Sequence, residues 1–200
     1  MLLDIDDCHL VLVDYQARLM PVIQGGREAT DRAVFLGRVA QALGVPVWGT
    51  EQNPTRLGEN DPAVRALCQK TFAKMDFDAS GSDLLNALRP PARSSGSNAR
   101  SLPKHLQKPA NPTPTRNTVV LAGCEAHVCL LQTALGLLEQ EFDVWVVTDA
   151  CASRRERDRD AAFDRLAGNG VELVTSEMVA FEWLRGCEHP QFKEVLELIK

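Results

Sequence analysis

Apolar residues fall along this chain in short runs that alternate with longer stretches of helical spacing. CHLVLVDYQ (8–16) reads as a buried strand ending in polar residues. DRAVFLGRVAQALG (31–44) then places apolar side chains three and four residues apart before a glycine stop, which predicts a helix. VPVWGTEQNP (45–54) predicts a second strand that breaks into a polar loop, and DPAVRALCQK (61–70) a short helix with Pro62 near its first turn. The alternation resumes with the strand TVVLAG (118–123), the helix EAHVCLLQTALGLLEQE (125–141) and the strand DVWVVTDAC (143–151). It ends with the helix RERDRDAAFDRLAGNG (155–170) and the strand VELVTSEM (171–178). Repeated strand-helix units of this length imply an α/β fold in which helices cover both faces of a mostly parallel sheet.

One stretch departs from the pattern. Residues 90–117, PPARSSGSNARSLPKHLQKPANPTPTRN, are rich in Pro, Ser, Asn and basic side chains and show no periodicity. They predict a surface loop, or a lid or oligomer contact, within a single domain spanning 1–200. An apolar fraction of 44% suits a globular chain of this size. A net charge of -5 with no long basic block argues against nucleic acid as a partner. The acidic opening MLLDIDDCHL has neither a secretory pattern nor a membrane-spanning length of apolar residues, so no membrane partner and a cytoplasmic location are expected. The six cysteines are then expected to be reduced thiols, and Cys8, Cys68, Cys151 and Cys187 to be packing or near-surface residues.

Ligands in open parallel sheets collect beyond the carboxyl ends of the strands. Asp14, Glu51, the turn from Gly123 to Cys129, and Asp149 all fall there, and Lys74 arrives on a link between elements. Cys129 stands where an apolar strand passes through a turn into a helix, a position suited to a nucleophile whose thiolate the helix amino end favours. Asp14 follows LVLV directly and suits a general base, with a turn cap as its ordinary alternative. Lys74, in AKMDFDAS, can supply a fixed positive charge that lowers the pKa of both neighbours, although lysines are usually solvated and Lys70 stands only four residues earlier.

The segments VLVDYQ, TEQNP, AKMDFD, LAGCEAHVCLLQTA, TDACASR and TSEMVAFEW, taken in order, resemble the isochorismatase-like cysteine hydrolases, especially the branch named for isochorismatase-domain-containing proteins. The resemblance runs through almost the whole chain, with the Pro-rich stretch as its main departure. It implies a six-stranded sheet in a three-layer sandwich and a Cys129, Asp14, Lys74 triad, favouring Lys74 over Lys70. It also implies thiol attack on a small amide or related carbonyl substrate through an acyl-enzyme. A non-proline cis peptide at Glu125-Ala126, an oxyanion hole built from the amides of Ala126 and Cys129, and a homo-oligomeric state follow from the same resemblance.

Gln16, Glu51 and Gln52 are candidates for binding the polar end of the substrate, with hydrogen bonds to loop backbone as their structural alternative. Glu125 and His127 flank the same turn, and Tyr15, Phe77 and Trp183 are either pocket lining or core. No metal and no cofactor are expected, because the segment TEQNPTRLG lacks the histidines of metal-binding nicotinamidases. Three other functions stay open. They are an ether hydrolase using Asp14 as its acid-base group, a non-catalytic binding or assembly protein, and a redox pair of Cys124 and Cys129, the last weakened by the four residues between them.

Overall fold

A computed structural model describes residues 2–81, 83–90 and 116–199. All but the ends of the Pro-rich stretch therefore lies outside the described residues. Six parallel strands form one sheet in the order β3-β2-β1-β4-β5-β6. They are β1 (Cys8–Val13), β2 (Val47–Gln52), β3 (Lys70–Lys74), β4 (Thr118–Gly123), β5 (Asp143–Val147) and β6 (Glu172–Val174). Central β1 and β4 are buried along their whole length, as strands covered on both faces must be, while the edge strands β3 and β6 are only partly buried.

Helices cover both faces. α1 (Gly26–Ala42) packs with α7 (Ser176–Leu184) and α8 (Phe192–Ile199), and α5 (Leu131–Glu139) packs with α6 (Glu156–Gly168). Two single-turn helices, α2 (Pro54–Leu57) and α3 (Pro62–Arg65), link β2 to β3, and α4 (Asp83–Leu88) follows β3. Arg89, just past α4, donates to the carbonyls of Gln140 and Glu141 at the end of α5, which ties these two helices together. The three-layer arrangement is the one expected.

Three local readings are corrected. β3 was not among the strands read from the pattern, because KTFAK is five residues long and buries only Phe72 and Lys74. VELVTSEM is a strand only through Val174, since the Thr175 side chain accepts from the Met178 amide and starts α7. The helix expected over 125–141 is divided into a wide π turn at Ala126–Leu130 and then α5.

The strand order reverses direction between β1 and β4. Connections leave these neighbours toward opposite edges of the sheet, and the region beyond their carboxyl ends is where open parallel sheets generally bind ligands. Asp14 follows β1 and the Cys124–Cys129 turn follows β4, so topology alone brings them to one place.

Candidate active site

The approach of β1 to β4 is close at this point. A Cβ on Gly123 would lie 2.4 Å from the Val13 carbonyl oxygen and 2.5 Å from Val13 Cβ, so only glycine fits. Asp14 then takes up the left-handed region, φ 55°, which Asp tolerates better than most residues. This bend ends β1, and the carboxylate is fully buried. A buried carboxylate requires charged or hydrogen-bonded partners. Asp14 has both, because Thr50 Oγ1 donates to Oδ1 at 2.7 Å and Lys74 Nζ donates to Oδ2 at 2.7 Å.

Lys74 is the last residue of β3, two strands away from β1. Its ammonium is buried and also donates to Gln52 Oε1 (2.8 Å), to the Phe77 carbonyl (3.1 Å) and, at 3.4 Å, to the Asp76 carbonyl. Lys70 is exposed and holds its Nζ 4.7 Å from the Phe72 ring centroid, so the structure distinguishes the two lysines. The loop after Lys74 is anchored on α5. The Ala79 amide donates to Thr133 Oγ1, and Asp78 and Ser80 crowd so closely over Gly136 that a Cβ there would meet Ser80 Oγ at 2.2 Å. Lysine loop and cysteine helix are thus fixed to each other.

Cys129 lies in the π turn, where the charges of both Asp14 and Lys74 act on its thiol. The candidate Cys, Asp and Lys converge from three strands. Their electrostatics differ from the sequence expectation. Burial, and then the Asp14 negative charge, push the Cys129 thiol up to about 12, against the opposing influence of Lys74. Burial and the Asp14 charge thus both favour the protonated form of the sulfur.

The surrounding turn also departs from expectation. The cis peptide is Cys124-Glu125, one bond before Glu125-Ala126; the motif locates the turn but not which of its bonds is isomerised. The Ala126 amide, expected in the oxyanion hole, donates to the Ala152 carbonyl at 2.9 Å. Glu125 is buried and accepts from both the amide and the Nε of Arg154, each at 3.0 Å. His127 Nδ1 pairs with Ser153 Oγ at 3.0 Å.

Gln16 and Gln52 are buried, and their amide groups are committed to protein partners. Gln16 Oε1 accepts from the Gln52 amide, and its Nε2 donates to the carbonyls of Gln52 and Gly58. Gln52 Nε2 donates to the Met75 carbonyl. Glu51 accepts from the Asn60 amide on the side of β2 opposite Thr50 and Gln52, as strand alternation requires. All three residues thus make hydrogen bonds within the protein. Tyr15 and Trp183 are core, whereas Phe77 is 51% exposed beside the Lys74 loop. Thr50 escaped the sequence reading. Its signal was available, since a residue two before Gln52 in a strand shares its face.

Among the described residues, no group of three or more His, Cys, Asp and Glu side chains is placed to hold a metal ion, and no helix is long and apolar enough to cross a membrane. The Isochorismatase domain family model matches residues 8–178, which include Asp14, Lys74 and Cys129. The chain belongs to the isochorismatase family. This isochorismatase-family chain is 34% identical over 191 residues to isochorismatase domain-containing protein 2 of Bos taurus, covering 96% of this chain and 82% of that protein. Among solved structures, it is similar to the MAR1 ribonuclease of Caenorhabditis elegans, with a TM-score of 0.84 and 29% identity over 100% of this chain and 92% of that one. The YcaC product of Escherichia coli, described as an octameric hydrolase of unknown specificity, shares the fold with a TM-score of 0.78. Its identity is 23%, over 98% of this chain and 95% of that chain.

Proposed function

We propose that this protein hydrolyses a small amide or related carbonyl compound, with Cys129 as nucleophile, Asp14 as general base and Lys74 as a fixed positive charge. The observation that carries this reading is the convergence of a thiol on a buried carboxylate-ammonium pair at the switch point of a parallel sheet. Burial favours the protonated thiol, and in this scheme its proton passes to Asp14 as sulfur bonds to the carbonyl carbon. The tetrahedral species then expels the amine, which takes that proton, and leaves a thioester on Cys129. Water adds to the thioester carbon, giving its proton to Asp14, and expulsion of the sulfur with return of a proton restores the thiol and releases the acid. With the Ala126 amide engaged elsewhere, oxyanion stabilisation in this scheme falls to the Cys129 amide.

An amide fits a thiol nucleophile better than a phosphodiester does, and the charge of -5 favours a small substrate over a polyanion. The C. elegans relative is described as a ribonuclease, so RNA belongs in the substrate panel as the competing class. Homo-oligomer formation is part of the same reading. It draws on the octameric YcaC relative and on Met75 and Phe77, exposed beside the site, and sedimentation velocity tests it.

The deciding experiment measures Cys129 alkylation by a small uncharged electrophile as a function of pH, with Cys129→Ala as the control. Burial raises the thiol above its ordinary range, which disfavours the thiolate at pH 7, so efficient labelling there calls on proton removal by a neighbour. The expected result is labelling of Cys129 at pH 7 that Asp14→Asn slows by about 100-fold. Labelling confined to alkaline pH and indifferent to Asp14→Asn overturns the mechanism. Hydrolysis that survives Cys129→Ala would turn the assignment to an ether hydrolase in which Asp14 does the acid-base work.

A further inference from the structure

An ammonium group has three hydrogens to donate. Lys74 Nζ has Asp14 Oδ2 at 2.7 Å, Gln52 Oε1 at 2.8 Å and the Phe77 carbonyl at 3.1 Å, with the Asp76 carbonyl farther off at 3.4 Å. Its donor capacity is filled by the protein alone. Gln52 cannot turn its acceptor away from Lys74 freely, because its Nε2 is tied to the Met75 carbonyl at 2.6 Å. Nor can its backbone shift, because the Gln16 side-chain amide grips the Gln52 amide at 2.8 Å and the Gln52 carbonyl at 3.0 Å. Gln16 is in turn held by the Gly58 carbonyl at 2.6 Å. The side chains in this series are buried throughout.

We propose that Gln52, braced by Gln16, is a positioning residue that fixes the Lys74 ammonium against Asp14, and that Lys74 acts on Cys129 as an immobile charge and donates no proton to substrate. This inference rests on the cysteine-hydrolase reading and goes beyond it, because it gives the two glutamines a task other than substrate binding and names what holds the lysine charge in place. Its physical reason is geometric. A lysine has a flexible four-carbon stem, and an ammonium free to turn toward solvent would leave the Asp14 charge unopposed beside the sulfur. Two reciprocal amide contacts remove that freedom before any substrate arrives.

A double-mutant cycle on Gln52 and Lys74, read as the rate of Cys129 alkylation at pH 7 in full-length protein of confirmed fold, tests the proposal. Gln52→Met is expected to slow alkylation about tenfold and Lys74→Met more than that, with the double variant within a factor of about two of Lys74→Met alone. Such non-additivity is something that general loosening of the fold does not produce. A double variant slowed by the product of the two single effects overturns the inference. Gln52→Met without effect beside a slowed Lys74→Met overturns this inference alone, whereas Lys74→Met without effect overturns the lysine's role in the proposed function as well. Unsubstituted protein labelled with 15N at the lysine Nζ supplies a second reading that needs no variant. One lysine ammonium should exchange its protons at least about 100-fold more slowly than solvated lysines, and exchange of every ammonium at the solvent rate overturns the proposal.

Discussion

At the amino-terminal rim of the sheet, His9 accepts from Trp48 Nε1 through Nδ1 (3.2 Å), which leaves Nε2 to donate to the Leu88 carbonyl at 3.1 Å. At the carboxyl rim, Asp14 and Lys74 form a buried ion pair at 2.7 Å. Both rims bury polar side chains and satisfy them, yet they do so with different kinds of group. The first is neutral, and burial keeps it so by pushing His9 down to about 4. The second retains two full charges, whose desolvation is an expense that packing alone does not require. A buried neutral hydrogen bond is a means of joining β1, β2 and α4. A buried ion pair beside a thiol is the arrangement on which the proposed chemistry rests.

That distinction predicts unequal responses to substitution. Removing one charge from the carboxyl rim should have the largest effect. Lys74→Met leaves Asp14 buried without its counter-charge and should lower unfolding free energy by about 4 kcal/mol. Adding Asp14→Asn to that variant should restore much of the loss, because an isolated charge is then no longer buried. Urea unfolding of the single and double variants checks this, and a double variant weaker than Lys74→Met would show that the pair contributes to stability as the amino rim does.

Next in size is the backbone contact that lets the carboxyl rim form. Gly123→Ala drives a methyl group into the Val13 carbonyl and side chain, and should destabilise by about 3 kcal/mol through overpacking. Alkylation of Cys129 should fall with it, since the contact lies between Asp14 and the cysteine turn. Unchanged melting and alkylation would mean that β1 and β4 separate easily and that the rim is not rigid.

His9 should produce a comparable effect, but only in acid. Its folded pKa lies below the ordinary histidine value, so the unfolded chain binds the extra proton first. The associated stability is complete above about pH 6.5 and is lost as pH falls toward about 4, for a total of about 3 kcal/mol. Melting curves at intervals through this window should slope more steeply for the unsubstituted protein than for His9→Gln, whose side chain does not titrate. Parallel curves would remove the neutral-rim argument.

The two rims were also unequally legible in the sequence. LVLV followed by Asp14, and TVVLAG followed by the cysteine turn, mark the central strands by their unbroken apolar runs, and the family resemblance then links Cys129, Asp14 and Lys74. The partners within the site were harder to read. Thr50 and Gln52 are ordinary polar residues at a strand end, and only register places Thr50 opposite Val13 and thus beside Asp14. The Ala126 amide looked available because sequence does not show that Ala152 crosses in front of it. β3 was missed because an edge strand needs few apolar residues. On the amino rim, His9 had no visible claim, since its two partners lie 39 and 79 residues away.

The smallest expected effect provides the sharpest contrast between the rims. Thr118 begins β4 at its amino end and donates through Oγ1 to Asp7 Oδ2 at 2.6 Å, while the neighbouring Asn117 amide holds the other carboxylate oxygen at 2.8 Å. Thr118→Val preserves shape and removes one donor. Because Asp7 keeps its second contact and is only partly buried, water replaces much of what is lost, and the expected destabilisation is about 1 kcal/mol. The hydrogen bond made by Thr50 to Asp14 is chemically the same, a threonine hydroxyl on an aspartate, but it is fully buried and lies beside the thiol. Thr118→Val should therefore leave the rate of Cys129 alkylation at pH 7 unchanged, whereas Thr50→Val should alter it. Equal changes in the two variants would mean that β1 and β4 transmit strain from one rim to the other, and the division of labour drawn here would fail.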